Sequence, residues 1–374
     1  MGCYPHSISA TKTGRRAIQS IACINAIGTA TPDHDIHQAF VDWARDRITD
    51  SRAQRLFDRM VTRSGIARRW SVLPQTDAGG SPVADGGFYS GEWPGTAQRM
   101  AQYGQSAPAL AISAVQALGE QTDLAGISHL VVASCTGFVA PGVDQIVAER
   151  LGLAPSVERL LVGYMGCYAA VAALRSARHI VRSDPQARVL VICVELSTLH
   201  LQDSRAVEPL LAMLQFGDGA AAAIVSADPV GLAIDKPFAA TLPDSKELIQ
   251  WHIGDHGFAM HLSGEVPGAI TAALHPRTNG TTLLPAAPDT IDSWAVHAGG
   301  RSILDAVEQA LSLSKTALVH SREVLQSCGN MSSATLMFVL ERIMQSDASP
   351  RNGMALAFGP GVAVEGFLYA QARP

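Results

Sequence analysis

The stretch Leu161-Val-Gly-Tyr-Met-Gly-Cys167-Tyr-Ala-Ala-Val-Ala-Ala-Leu174 decides how this chain is read. Residues 160–162 read as a buried strand, and residues 168–181 as an apolar, alanine-rich helix. Cys167 therefore stands where a strand gives way to a helix. Amides and dipole at a helix N-terminus stabilise a thiolate. Gly163 and Gly166 thin the backbone around the sulfur, so a substrate can approach it. A lone cysteine in such a place is more often a packed, inert thiol. The rest of the chain has to supply its partners.

Internal similarity supplies them. His129-Leu-Val-Val-Ala-Ser-Cys-Thr-Gly137 matches Ile291-Asp-Ser-Trp-Ala-Val-His-Ala-Gly299, each a strand that ends in a polar residue and a glycine. Cys135 then corresponds to His297. Gly166-Cys167-Tyr-Ala-Ala matches Gly329-Asn330-Met-Ser-Ser, each opening an apolar helix. Cys135 to Cys167 and His297 to Asn330 span nearly equal lengths of chain. Phe216-Gly-Asp-Gly and Phe358-Gly-Pro-Gly both lead from a tight turn into an apolar strand. Strand, helix, glycine turn and strand thus occur twice. The expected fold is a duplicated α/β architecture, with halves at 18–230 and 231–374 joined near Asp228-Pro-Val-Gly231, after a leader at 1–17. Further strands are expected at 18–27, 127–133, 189–194 and 220–225, helices at 35–62 and 97–118, and a long loop at 74–96.

The duplication sets Cys167, His297 and Asn330 at corresponding element ends, where they can converge on one cavity. A histidine can hold a cysteine as thiolate and later donate a hydrogen bond. An asparagine offers a neutral N–H that stabilises an oxyanion or enolate without protonating the thiolate. The chain of 374 residues is 47% hydrophobic and only 16% charged, which fits a large core or a subunit with a buried interface. Its formal net charge of −5 argues against nucleic acid as a partner. The cysteines at 3, 23, 135, 167, 193 and 328 show no Cys-x-x-Cys pair, as expected of reduced thiols in a cytoplasmic protein. Neither a signal peptide nor a membrane span is read. No cluster has metal-ligand spacing.

The motifs Met165-Gly-Cys167-Tyr-Ala-Ala, Phe216-Gly-Asp-Gly, Trp294-Ala-Val-His297-Ala-Gly-Gly, Cys328-Gly-Asn330-Met-Ser-Ser and Phe358-Gly-Pro-Gly, in this order, resemble those of a type III polyketide synthase. That is the chalcone synthase-like branch of the thiolase fold, here in bacterial style, and the resemblance runs from about residue 18 to about residue 370. It implies a layered αβαβα fold, a homodimer, and a reaction between an acyl-CoA starter and malonyl-CoA with no cofactor beyond coenzyme A thioesters. Cys167 would carry the acyl chain, while His297 and Asn330 would promote decarboxylation and stabilise the enolate. Phe216 matches the aromatic gatekeeper of the coenzyme A tunnel. Arg59 and Arg63, with Arg55 nearby, match positions that hold coenzyme A phosphates. Met260 stands at a second gatekeeper position, a task Phe258 can share. Cys135, His200 and Trp251 fall at cavity positions, and Trp251 narrows the pocket. An alkylpyrone- or resorcinol/phloroglucinol-type product is implied. A ketoacyl-carrier-protein synthase III-like enzyme uses the same trio. Its His-Gln-Ala-Asn stretch is absent, since His297-Ala-Gly-Gly stands there, and its glycine-rich C-terminal turn is Gly359-Pro-Gly here. A Cys-His-Asn hydrolase of acyl thioesters is the third reading.

Overall fold

The computed structural model describes residues 21–275, 283–347 and 349–373; the leader assigned to 1–17 lies outside them. The N-terminal strands are β1 (Cys23–Ala30), β2 (His129–Ser134), β3 (Glu158–Gly163), β4 (Val189–Leu196) and β5 (Asp218–Ser226). The C-terminal ones are β6 (Leu232–Thr241), β7 (Ile249–Gly254), β8 (Gly257–Leu262), β9 (Ser293–Val296), β10 (Gly353–Gly359) and β11 (Ala363–Gln371). All but β7 and β8 form a nine-stranded sheet in the order β9-β10-β11-β6-β1-β5-β4-β2-β3.

The order repeats across the β1–β6 junction, where Cys23 pairs with Ala233 and Ile24 with Leu232. On one side β2 and β4 run parallel, and β5 then β1 follow antiparallel. On the other side β9 and β10 run parallel, and β11 then β6 follow antiparallel. Side chains alternate across each strand, so one strand feeds two cores. Val131, Val191 and Ala223 join Ala355 and Phe367 in a central core, whereas Leu130, Val132 and Ile192 point into an outer one. Met354, Leu356 and Val296 line a second outer core on the C-terminal side.

The central core also holds the helices Ala169–Ser183 and Ser333–Gln345, whose residues Ala173, Leu174, Met337 and Val339 are fully buried. Both helices lie between the two halves of the sheet, so nearly every face is covered, which explains their apolar sequence. The helix Thr96–Gly119 covers the N-terminal outer face with Tyr103, Leu110, Ala114 and Leu118, at the spacing of a helical stripe. Helix, sheet, helix, sheet, helix is the resulting order of layers.

Two local expectations need correction. Residues 35–62 form two helices, His37–Arg47 and Ser51–Ser64; the Asp50 carboxylate accepts a hydrogen bond from the Ala53 amide at 2.6 Å and starts the second. Residues 160–162 do lie in a strand, β3, but not a buried one. β3 is the outer edge of the sheet, and Leu160 and Leu161 are 43% and 48% exposed. No helix among the described residues is long and apolar enough to cross a membrane.

Gly28 on β1 shows how tightly the outer helix sits. A Cβ there would lie 2.1 Å from the Leu118 nitrogen and 2.6 Å from the Ala114 oxygen, both backbone atoms that cannot rotate away. Gly28→Ala should therefore lower stability by about 3 kcal/mol, measured as a reduced urea midpoint at unchanged m-value.

Candidate active site

After β3 the chain bends through Tyr164 (φ 58°) and Gly166 (φ 73°) into a short 3-10 turn, Gly166–Tyr168, before the helix Ala169–Ser183 begins. Tyr164 holds a left-handed conformation that costs a non-glycine residue energy, a strain common at functional turns. The C-terminal half reaches the turn directly. A Cβ on Gly166 would lie 2.5 Å from Pro360 Cδ, and one on Gly359 would lie 2.6 Å from Tyr168 Cδ1. The Phe358-Gly-Pro-Gly turn can cross over Cys167 only because its own residue and its neighbour are glycine.

His297 leaves the end of β9, its amide donating to Leu356 O at 2.8 Å and its carbonyl accepting from Gly299 N at 2.9 Å. Its ring is buried, and neither Nδ1 nor Nε2 has a hydrogen-bond partner among the described residues. Asn330 follows Gly329 (φ 67°), which closes the helix Val319–Cys328. The Asn330 backbone is held by the other half: its N–H donates to Gln215 O at 2.8 Å and its O accepts from Gly217 N at 3.0 Å. Asn330 does not itself open the next helix, which starts at Ser333, because its main chain is spent in this strand-like bridge to Phe216. Oδ1 accepts from the Ser332 amide at 2.8 Å, and Nδ2 donates to Gly299 O at 3.2 Å. Those two bonds fix the amide orientation. The second Nδ2 hydrogen is left toward Cys167 Sγ, 4.0 Å away.

Burial governs the electrostatics. It pushes the Cys167 thiol up to about 11; the nearby Glu195 carboxylate adds to this, and hydrogen bonds from Ser332 and Asn330 oppose it. Desolvation thus outweighs the hydrogen bonds that favour the thiolate. Burial also lowers the His297 imidazole to about 3, so at neutral pH it is an uncharged ring. Sequence reading gave no role to Glu195 or Ser332. Glu195 is buried and accepts from Cys135 N at 3.0 Å, from Thr136 Oγ1 at 2.9 Å and from the Cys135 thiol at 3.4 Å. Burial raises both the Glu195 carboxyl and the Cys135 thiol. Ser332 Oγ lies 3.3 Å from Cys135 Sγ and also bonds Cys167, so it links the two thiols.

Cys167, His297 and Asn330 line one cavity of about 670 Å³, together with Cys135, Phe216, Trp251 and Met260. The wall opposite the trio is the hairpin of β7 and β8. In it Met260 pairs with Trp251 and Leu262 with Ile249, and all four side chains line the cavity. His200 and Phe258, expected here too, are not among its lining residues. They line a smaller chamber of about 70 Å³ behind Trp251. His200 Nε2 is 2.7 Å from Thr136 O, Nδ1 accepts from the Phe258 amide at 3.0 Å, and the ring stacks on Phe258 at 4.2 Å. That uncharged ring pins the hairpin to the N-terminal half, with burial lowering its pKa to about 4. At the cavity mouth stand Arg63 and a residue that sequence reading left aside, Arg301, which donates to Arg63 O at 3.3 Å. Arg55 and Arg59 are exposed on the same helix as Arg63, outside the cavity lining.

Residues 9–229 match the family described as chalcone and stilbene synthases, N-terminal domain, and residues 234–372 match its C-terminal domain. The chain is 31% identical over 369 residues to the alpha-pyrone synthesis polyketide synthase-like protein Pks18 of Mycobacterium tuberculosis, covering 94% of this chain and 91% of that one. Two solved structures are similar over nearly the whole chain. PKS-I from the brown alga Ectocarpus siliculosus is 29% identical with a TM-score of 0.83, covering 95% of this chain and 100% of that chain. The C-terminal type III polyketide synthase domain of Steely1 from Dictyostelium is 25% identical with a TM-score of 0.82, covering 94% and 100%.

The neutral state of His297 can be tested by pH. An imidazole at about 3 in the folded chain returns to the ordinary range near 6.5 on unfolding. The unfolded state therefore binds the extra proton as pH falls below 6.5, and stability drops. Against His297→Gln, which cannot titrate, the wild-type protein should lose about 1.4 kcal/mol per pH unit between pH 6 and 4. Urea unfolding of both proteins across that range measures it; parallel pH curves would exclude a buried neutral ring.

Proposed function

Because the chain belongs to the chalcone and stilbene synthase family and is a type III polyketide synthase, we propose that Cys167, His297 and Asn330 carry out its iterative decarboxylative condensation of malonyl-CoA onto an acyl-CoA starter. The observation that carries this assignment is the meeting of all three in one cavity, with both His297 ring nitrogens unspent. In the loading step the Cys167 sulfur attacks the starter thioester. As the sulfur attacks, its proton is relayed through His297 to the departing coenzyme A sulfur in one concerted movement, so no imidazolium has to persist in the buried cavity, and an acyl-enzyme and free coenzyme A remain. Malonyl-CoA then loses carbon dioxide, and the electron pair of the broken bond forms an enolate. The Asn330 Nδ2 hydrogen and an N–H of neutral His297 donate to its oxygen. Neutral donors suit this step, because neither hands the enolate a proton that would end the reaction. The enolate carbon attacks the acyl-enzyme, the Cys167 sulfur leaves, and the lengthened chain is carried on coenzyme A.

Arg55, Arg59 and Arg63, four residues apart on one helix, form a cationic stripe suited to the coenzyme A phosphates. Leu56 and Met60, on the cavity lining beside them, offer apolar contact to the pantetheine arm. The cavity lining is largely apolar, which suits an aliphatic or aryl starter. Lactone closure to an alkylpyrone is favoured over resorcinol- or phloroglucinol-type closure by the name of the mycobacterial relative, which refers to alpha-pyrone synthesis.

Purified protein with malonyl-CoA and a panel of acyl-CoA starters, without carrier protein, should release polyketides detectable by mass spectrometry. Cys167→Ala should reduce that release about a thousandfold or more. Free acids without new carbon–carbon bonds would point to the hydrolase instead, and strict dependence on a carrier protein to the synthase III type.

A homodimer is the proposed assembly. The unpaired edge of β3 and its exposed Leu160 and Leu161, with Tyr164 and Phe138 at 51% and 62% exposure nearby, support burial against a second copy. Leu161→Asp should shift the protein from dimer to monomer in analytical ultracentrifugation.

A further inference from the structure

The chamber behind Trp251 is more than a packing gap. It shares Ser197, Ala212, Phe216, Trp251 and Met260 with the reaction cavity, so one side-chain partition divides the two spaces. Most polar groups around it are spent. Ser71 Oγ and Thr198 Oγ1 lie 2.7 Å apart, and Thr198 bonds Asp218. The Tyr89 hydroxyl donates to Thr198 O at 2.6 Å, and Gln202 Nε2 donates to His200 O at 3.0 Å. Both His200 nitrogens are engaged with backbone. Two lining residues differ. Trp251 Nε1 and Arg69 Nη2 are buried donors with no acceptor among the described residues, while Arg69 Nη1 is spent on Met213 O at 3.0 Å and Phe216 O at 2.8 Å. A native interior rarely leaves such donors unpaired without a ligand or solvent to satisfy them. In this chain the reaction cavity shows the same sign, the two unspent nitrogens of His297. A space of about 70 Å³ admits a fragment the size of an acetyl group, given about 30 Å³ for a water molecule.

We propose that this chamber is a subsite for a carbonyl oxygen of the growing poly-β-ketone, which accepts hydrogen bonds from the Trp251 indole N–H and the Arg69 guanidinium. The subsite rests on the polyketide reading and deepens it. It binds an acceptor group that a saturated starter lacks and that each condensation adds. Chains that have already been extended are therefore held better than fresh starters.

The test pairs a substrate change with a protein change. Wild-type enzyme is given 3-oxohexanoyl-CoA or hexanoyl-CoA as starter, with malonyl-CoA as extender, and kcat/KM is measured for each. The oxo substrate should be favoured about tenfold. Trp251→Phe keeps an aromatic partition and deletes only the donor, and it should reduce that preference to about threefold or less. Arg69 is left intact because it also holds the Phe216 carbonyl. Equal use of the two substrates by the wild type would overturn the proposal, even if the variant did not fold. So would a preference that Trp251→Phe leaves unchanged. Failure to extend either substrate would instead overturn the polyketide reading itself.

Discussion

The structure depends on a reciprocal contact between its two halves. The Phe216-Gly turn of the first half pairs with Asn330 of the second, and the Phe358-Gly turn of the second crosses over Cys167 of the first. Each crossing requires glycine. A Cβ on Gly217 would come 2.8 Å from Cys328 O, and one on Gly359 would come 2.6 Å from Tyr168 Cδ1, beside Cys167. Neither half could hold a working site alone, because each supplies the backbone that fixes the other's reactive side chain. This also explains why the two central helices are so apolar. Among the described residues they form the layer packed between both halves of the sheet, and Cys167 and Asn330 lie just before their first turns.

The same burial that assembles the site decides its charge states. Desolvation lowers His297 and raises Cys167, Cys135 and Glu195. Around Cys167 the surroundings therefore favour neutral groups that donate hydrogen bonds over fixed charges. A decarboxylating enzyme gains from this. An enolate appears only in passing, and preorganised neutral donors can meet it without trapping it by proton transfer. Glu195 lies behind Cys135 and accepts hydrogen bonds from Cys135 N, Thr136 Oγ1 and Ser333 Oγ, which makes it a scaffold for that wall of the cavity.

What was legible in the sequence follows from where the information lies. The duplication and the trio could be read because each reactive residue sits in a contiguous motif at an element end, written twice. The exposure of β3 could not be read, since apolar residues on an exposed sheet edge look the same in sequence as core residues. Nor could the break at Asp50, where a helical pattern continues across a capping residue. His200 reads as a cavity residue, yet it lines the chamber behind Trp251 and not the reaction cavity. Its two nitrogens are consumed by Thr136 and Phe258, partners distant in sequence that only the tertiary fold brings to it. The thiol at Cys167 makes the same point in energy. The helix start is a local signal, whereas the desolvation that raises the thiol is a property of the whole cavity.

The hairpin of β7 and β8 stands apart from this scheme. It belongs to its own two-stranded sheet, separate from the nine-stranded one. It is pinned from outside the trio, by His200 on the Phe258 amide, by Gln202 Nε2 on His256 O and by the Thr96 hydroxyl, which donates to Gly254 O and accepts from Gly257 N. Yet it supplies Trp251 and Met260, the side chains that set the far wall of the cavity and the partition to the chamber. Cys167, His297 and Asn330 are held by the duplicated core, where backbone bonds at His297 and Asn330 and the close approach of Gly359 leave little room for change. Trp251 and Met260, by contrast, reach the cavity as side chains of a separate hairpin, where a substitution alters the wall without moving the trio. That separation is a physical reason why one fold can keep its chemistry while varying its product.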